Sequence, residues 1–254
     1  MDLIQAIVLG IVEGITEFLP ISSTGHMILA SKLMGLKQEE FLKSFEVVIQ
    51  LGSILAVVVA FKDRIFKDLE LWKRLIVAFI PTGILGLTLY KLIKSLFAPS
   101  TVAYMLIIGG IIFILVELFY KEKEHHIEDV DQVSYKQALA IGLFQSLAMI
   151  PGTSRSGATI IGGLLIGLKR KAAAEFSFLL AVPTMFAATG YDLLKHYKEF
   201  DLSNIAALGV GFITAFIVAL VIIRWFLGFI KKHTFIPFGI YRIVVGVIFL
   251  MWVL

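Results

Sequence analysis

The stretch E-G-I-T-E-F-L-P-I-S-S-T-G-H, Glu13 to His26, places two carboxylates, four hydroxyls and an imidazole inside sequence that otherwise reads as soluble in hydrocarbon. Ionisable groups at membrane depth are costly, so several retained together mark a site of chemistry or transport. Pro20 and Gly25 within the same stretch break the helical ladder, and the freed backbone groups then need protein or water as partners. The apolar piece Ile4 to Leu19 is therefore expected to turn back through Met27 to Met34 as a re-entrant hairpin.

The rest of the chain supports a membrane setting. Of 254 residues, 59% are hydrophobic and 17% charged, with a mean hydropathy of +0.93, well above the apolar share of soluble domains. Apolar runs at residues 45–61, 75–90, 102–119, 175–192, 205–223 and 238–254 are each near the lower limit for crossing roughly 30 Å of hydrocarbon. The net charge of +4 follows from Lys and Arg in cytoplasmic loops, so nucleic acid is not an expected partner. The absence of cysteine excludes disulfides and thiolate metal sites. No cleaved leader is expected, because Asp2 stands where a basic region would be.

A second interrupted segment, 137–150 followed by Pro151-Gly152 and then 158–168, matches the first without a gap. Identities fall at Gln5/Gln137, Ala6/Ala138, Gly10/Gly142, Ser22/Ser154 and Gly25/Gly157, with the loops S-S-T-G and S-R-S-G facing each other. Three spans follow each hairpin, so the second half must enter the bilayer upside down. The expected fold is an all-α integral membrane protein: an inverted repeat of six transmembrane helices plus two re-entrant helix-loop-helix hairpins, one domain over 1–254 with pseudo-repeat halves 1–124 and 125–254. With the amino terminus on one side, the opposite loops carry fourteen Lys and Arg against seven, which makes that opposite side cytoplasmic and puts both termini outside.

The candidate chemistry lies at the two hairpin tips. Glu13 and Glu17 stand one above the other on a helix face and require a shared proton, a cation or an arginine. Ser22, Ser23 and Thr24 occupy the first tip, where a hydroxyl caps a helix or, with His26 to take its proton, acts as a nucleophile. In the second tip, Gly152, Thr153, Ser154 and Ser156 frame Arg155 as an anion cradle at a helix start. Arg155 offers a planar fork for phosphate or a counter-charge for the glutamates. Arg242, within the last span, reads as a structural arginine that pairs internally or snorkels. Glu117, His125, His126, Glu128, Asp129 and Asp131 read as part of a solvated linker.

The motifs at 13–26 and P-G-T-S-R-S-G-A-T at 151–159 resemble the undecaprenyl-diphosphate phosphatase family of bacitracin-resistance type. The resemblance implies a bacterial inner-membrane enzyme that hydrolyses undecaprenyl diphosphate to undecaprenyl phosphate, with its site opening to the outer face. It implies support by a divalent cation, Mg or Ca, held by Glu13 and Glu17. Carried onto this chain, the functional positions are Glu17, Ser23, His26 and Arg155, with Glu13, Ser22, Thr24, Gly152, Thr153, Ser154 and Ser156 binding substrate. Either Ser23 or His26 serves as nucleophile. The expected partners are the prenyl diphosphate and membrane lipid, with room for a homodimer. A transporter or flippase of a phosphorylated polyprenyl lipid is the competing reading of the same scaffold.

Overall fold

The computed structural model describes residues 1–37, 39–196 and 203–252. Lys198 and Leu254, used above in the loop count and the last span, lie outside them. Twelve α-helices run along the described chain: α1 Leu3–Thr16, α2 Ser23–Leu33, α3 Glu40–Ala60, α4 Lys62–Lys67, α5 Leu69–Thr88, α6 Tyr90–Ser95, α7 Pro99–Phe119, α8 Tyr135–Ser146, α9 Arg155–Leu165, α10 Arg170–His196, α11 Ile205–Phe229 and α12 Ile236–Trp252. Five of these, α3, α5, α7, α10 and α11, are long and apolar enough to cross a membrane, and α12 is a shorter apolar helix. The protein is multi-pass and all-helical. The long helices extend beyond the apolar runs because their polar first turns are helical as well. Asp68, for example, caps α5 by accepting from Leu71 N.

The two interrupted segments share their local geometry. Asp2 caps α1 and Ser134 caps α8, each completing a capping box with the glutamine three residues on, Gln5 and Gln137. That reciprocal pair of bonds is the physical content of the Gln5/Gln137 identity. At the breaks, Ser22 and Ser154 are the non-glycine residues with positive φ among those described, at 72° and 74°. α2 and α9 then end alike. Gly35 and Gly167 take left-handed backbone, and the amides of Gly35 and Leu36, like those of Gly167 and Leu168, fold back onto the last-turn carbonyls. This is a glycine-terminated helix end, and it extends the match through G-L-K at 35–37 and 167–169.

Small residues let the hairpins dock. α1 packs on α11 and α8 packs on α5, so the first helix of each hairpin lies against a long helix from the other end of the chain. A Cβ on Gly10 would stand 2.8 Å from the Gly211 carbonyl, and one on Gly14 2.8 Å from that of Ala215. Gly142 meets the Ala78 carbonyl in the same way. Between helices in lipid the hydrophobic effect supplies little, and close backbone approach supplies dispersion instead. α10 runs through the centre, with 72% of its apolar window buried against 22% for α5 and 28% for α11. Phe176, Phe178 and Leu179 of α10 anchor the main core with Phe18 and Phe226.

One expectation is corrected here. Glu117 is not solvated: it is buried, and both its carboxylate oxygens accept from Arg170, one of them also from Phe235 N. The linker behind it is pinned rather than free. Ile127 pairs its backbone with Gly167 and Lys169, and Arg64 holds both Asp129 and Asp131.

Candidate active site

The two breaks meet. Glu17, the C-cap of α1, accepts from Ser23 Oγ at 2.7 Å through one carboxylate oxygen and from Arg155 Nη2 at 3.2 Å through the other. Ser23 opens α2 and Arg155 opens α9, so a single carboxylate joins residues from both hairpins. A second bond crosses the same seam, from Ser156 Oγ to the Leu19 carbonyl at 2.9 Å.

Each partner is held on its far side. Arg155 Nη1 donates to the Ser177 carbonyl at 2.9 Å, and its guanidinium lies 5.9 Å from the centroid of the fully buried Phe18 ring. Its Nε is buried with no acceptor. A donor buried without a partner costs about 1–3 kcal/mol, which an incoming anion would recover. Ser154, expected in the anion cradle, caps α9 through Gly157 N and touches Ser156 Oγ at 3.1 Å. Ser22 caps α2 without a side-chain bond. Its carbonyl accepts instead from His26 Nδ1 at 2.8 Å.

Arg242 is structural, as its place in the last span suggested, and it bonds internally rather than snorkelling. It is completely buried and makes no ion pair among the described residues. Its guanidinium donates to five carbonyls, those of Pro20 in the first tip, Gly152 and Thr153 in the second, and Met105 and Leu106 on α7. It thereby clamps both tips to α7. A Cβ at Gly109 would collide with this guanidinium, so the glycine makes room for it. The available signal was an arginine in the middle of an apolar helix, which by the cost of intramembrane charge marks a site.

His26 and Ser23 bond elsewhere rather than to each other. His26 Nε2 meets Tyr241 Oη at 2.8 Å, and the two rings stack with centroids 5.6 Å apart. Because Nδ1 faces a carbonyl it is the donor, and Nε2 then accepts from the phenol. The carboxylate of Glu17, rather than the imidazole, is the group placed to take the Ser23 proton.

A cavity of about 360 Å³ opens beside this cluster. Glu17, Ser22, Ser23, Thr24, Ser154 and Arg155 line it on the polar side, and Phe97, Met149 and Met185 on the apolar side. Glu13, His26, Thr153 and Ser156 stand outside it. Glu13 is buried one turn before Glu17, and its Oε1 has no partner. That oxygen and the neighbouring carboxylate suit a hard cation such as Mg or Ca, which takes one or two carboxylates and completes its shell with phosphate oxygens. No group of three His, Cys, Asp or Glu gathers among the described residues.

The family model described as "Bacitracin resistance protein BacA" matches residues 6–248. The chain is 62% identical over 252 residues to a protein of Wolinella succinogenes named undecaprenyl-diphosphatase, covering 99% of this chain and 98% of that one. A protein of the same name from Persephonella marina is 62% identical over 254 residues, with both chains covered completely. One from Methanococcus aeolicus is 55% identical over 252 residues, covering 99% of each.

Proposed function

The chain belongs to the bacitracin resistance protein BacA family, and on that membership we infer that it is an undecaprenyl-diphosphatase, a membrane hydrolase that converts undecaprenyl diphosphate to undecaprenyl phosphate and inorganic phosphate. In doing so it recycles the lipid carrier for cell-wall synthesis. The observation that carries the mechanism is the shared carboxylate: Glu17 bonded to Ser23 on one side and to Arg155 on the other.

The terminal phosphate of the substrate enters the cavity with its prenyl chain along the apolar wall. Arg155 leaves its resting bond with Glu17 or adds its free Nε, and in either case places fixed positive charge on the phosphoryl oxygens. Positioning and charge stabilisation are most of what phosphoryl transfer requires. Ser23 Oγ attacks the terminal phosphorus, its proton passes to Glu17, and the bond to the bridging oxygen breaks to release undecaprenyl phosphate. Water then attacks the phosphoserine and the P–Oγ bond breaks: Glu17 returns its proton to Ser23 Oγ, takes one from the water and passes it to solvent as inorganic phosphate leaves. Glu13, whose Oε1 has no partner, and Glu17 would hold a divalent cation, and that cation would supply charge neutralisation to the diphosphate. Ser22, Thr24 and the second-tip residues Gly152, Thr153, Ser154 and Ser156 shape the cradle. His26 acts behind the tip, holding the Ser22 carbonyl.

The membrane arrangement belongs to the same reading. Halves 1–124 and 125–254 are inverted repeats, α12 is the sixth span, and both hairpins are re-entrant with their tips at mid-depth. The termini lie outside the bacterial inner membrane, the site opens to the outer face, and the chain works among membrane lipids, as a monomer or a homodimer.

Purified protein in detergent should release phosphate from a prenyl diphosphate, and chelation of divalent cations should suppress it. Ser23→Ala should abolish release, and a quenched wild-type reaction should carry label on Ser23. Label on His26 would make the imidazole the nucleophile, and label on neither would mean direct attack by water. A carrier on this scaffold would release no phosphate at all.

A further inference from the structure

A second cavity, of about 420 Å³, lies between the carboxy-terminal ends of α7 and α9. It is separate from the tips. From Leu106, whose carbonyl binds Arg242, α7 climbs thirteen residues to Phe119, roughly 20 Å at 1.5 Å per residue. Its inner wall is apolar, with Leu115, Phe119 and Leu165 each about half exposed or more. These side chains continue the outward face of α7, where Ile108, Ile111 and Leu118 are also exposed. Its rim carries two cations, Lys121 and Lys123, beside the imidazole of His126.

The rim groups are available. Neither lysine ion-pairs with a carboxylate among the described residues, whereas Glu122 is engaged by Arg170 and Glu128 by Lys169. A turn closed by His126 N on the Lys123 carbonyl brings those two residues together. Tyr120 Oη donates to the Leu168 carbonyl at 2.6 Å and so accepts from His126 Nδ1 at 3.2 Å, which fixes the imidazole beside the groove and leaves the two lysines as the groups that meet an anion. Helix ends ordinarily repel anions through their free carbonyls. Here the Gly162, Gly163 and Leu164 carbonyls are already taken by the amides of Ile166, Leu168 and Gly167.

Free cations above an apolar groove that opens onto a lipid-facing helix surface match an anionic headgroup with its hydrocarbon chain, and basic pockets between membrane helices bind such headgroups. We propose that the groove between the ends of α7 and α9 is a binding site for a membrane lipid with an anionic phosphate headgroup, distinct from the hydrolytic cavity. A soluble anion would leave the apolar wall uncovered, and a zwitterionic lipid would leave the lysines uncompensated. The inference does not depend on the hydrolytic reading.

The test is native mass spectrometry of the full chain in detergent with added phosphatidylglycerol or phosphatidylcholine, alongside Lys121→Gln/Lys123→Gln and, separately, Leu165→Trp to fill the groove with the lysines intact. Wild type should retain phosphatidylglycerol over phosphatidylcholine by at least about fivefold, taking one lysine's attraction to an anionic surface as the minimum. Both variants should lose most of that preference while their circular dichroism stays unchanged. Equal retention of the two lipids by wild type would overturn the proposal. So would a preference that survives Leu165→Trp, which decides the matter if the double variant fails to fold, or displacement of bound lipid by millimolar inorganic phosphate.

Discussion

Arg155 and Arg242 are both buried guanidinium groups, and they use their charge in opposite ways. Arg155 faces a carboxylate, a single carbonyl and an unsatisfied Nε, so it has bonding capacity to give to a substrate. Arg242 spends its capacity on five carbonyls and has a structural task at the site. Arg155→Lys keeps the charge but loses the fork, and kcat/KM should fall about 10²–10³-fold, as for loss of one oriented transition-state donor, with thermal stability little changed. Arg242→Met should do the reverse in order of cause. Stranding five buried carbonyls costs at least about 3 kcal/mol, seen as a lower unfolding temperature, and activity fails because the tips separate. Glu17, Ser23 and Arg155 were legible in the sequence because a polar or charged group is expensive to keep within an apolar run and so stands out there. The tie of His26 to Tyr241 was not, since 215 residues separate them.

At the scale of elements, the hairpins are built twice from the same parts: a capping box, a small-residue face, a serine in left-handed backbone and a glycine-terminated second helix. The break points were readable from Pro20 and Pro151-Gly152, because proline and glycine punctuate helices by covalent geometry alone. The docking face was visible only as letters. Ala6, Gly10 and Gly14 repeat every fourth residue, but that spacing does not say which helix approaches. Gly142→Ala should test the approach, since the added methyl meets the Ala78 carbonyl, whereas Gly86→Ala has no neighbour nearer than 3.8 Å. The first should cost about 1–3 kcal/mol of stability by overpacking and reduce activity by displacing the second tip, and the second should be close to neutral in both thermal unfolding and phosphate release.

Across the whole molecule, the hairpins of one half brace the long helices of the other, α1 on α11 and α8 on α5, so neither half completes its site alone. The proposed inverted arrangement predicts opposite membrane faces for Lys37 and Lys169, which stand at equivalent places after the two glycine ends. As the chain has no cysteine, single cysteines can be introduced at each, and an impermeant thiol reagent should label Lys37→Cys from outside and Lys169→Cys only after permeabilisation. Labelling from one side would remove the inversion. The linear sequence alone determined the membrane setting, the two interruptions and the residue types at each tip, because hydropathy and helix breaking act within a few residues along the chain. Only the tertiary structure decided which carboxylate bridges Ser23 to Arg155, that Arg242 clamps both tips, and that Glu117 is buried on Arg170. Those outcomes depend on which surfaces meet across 53 to 222 residues, and side-chain reach of a few ångströms cannot be read from order in the chain.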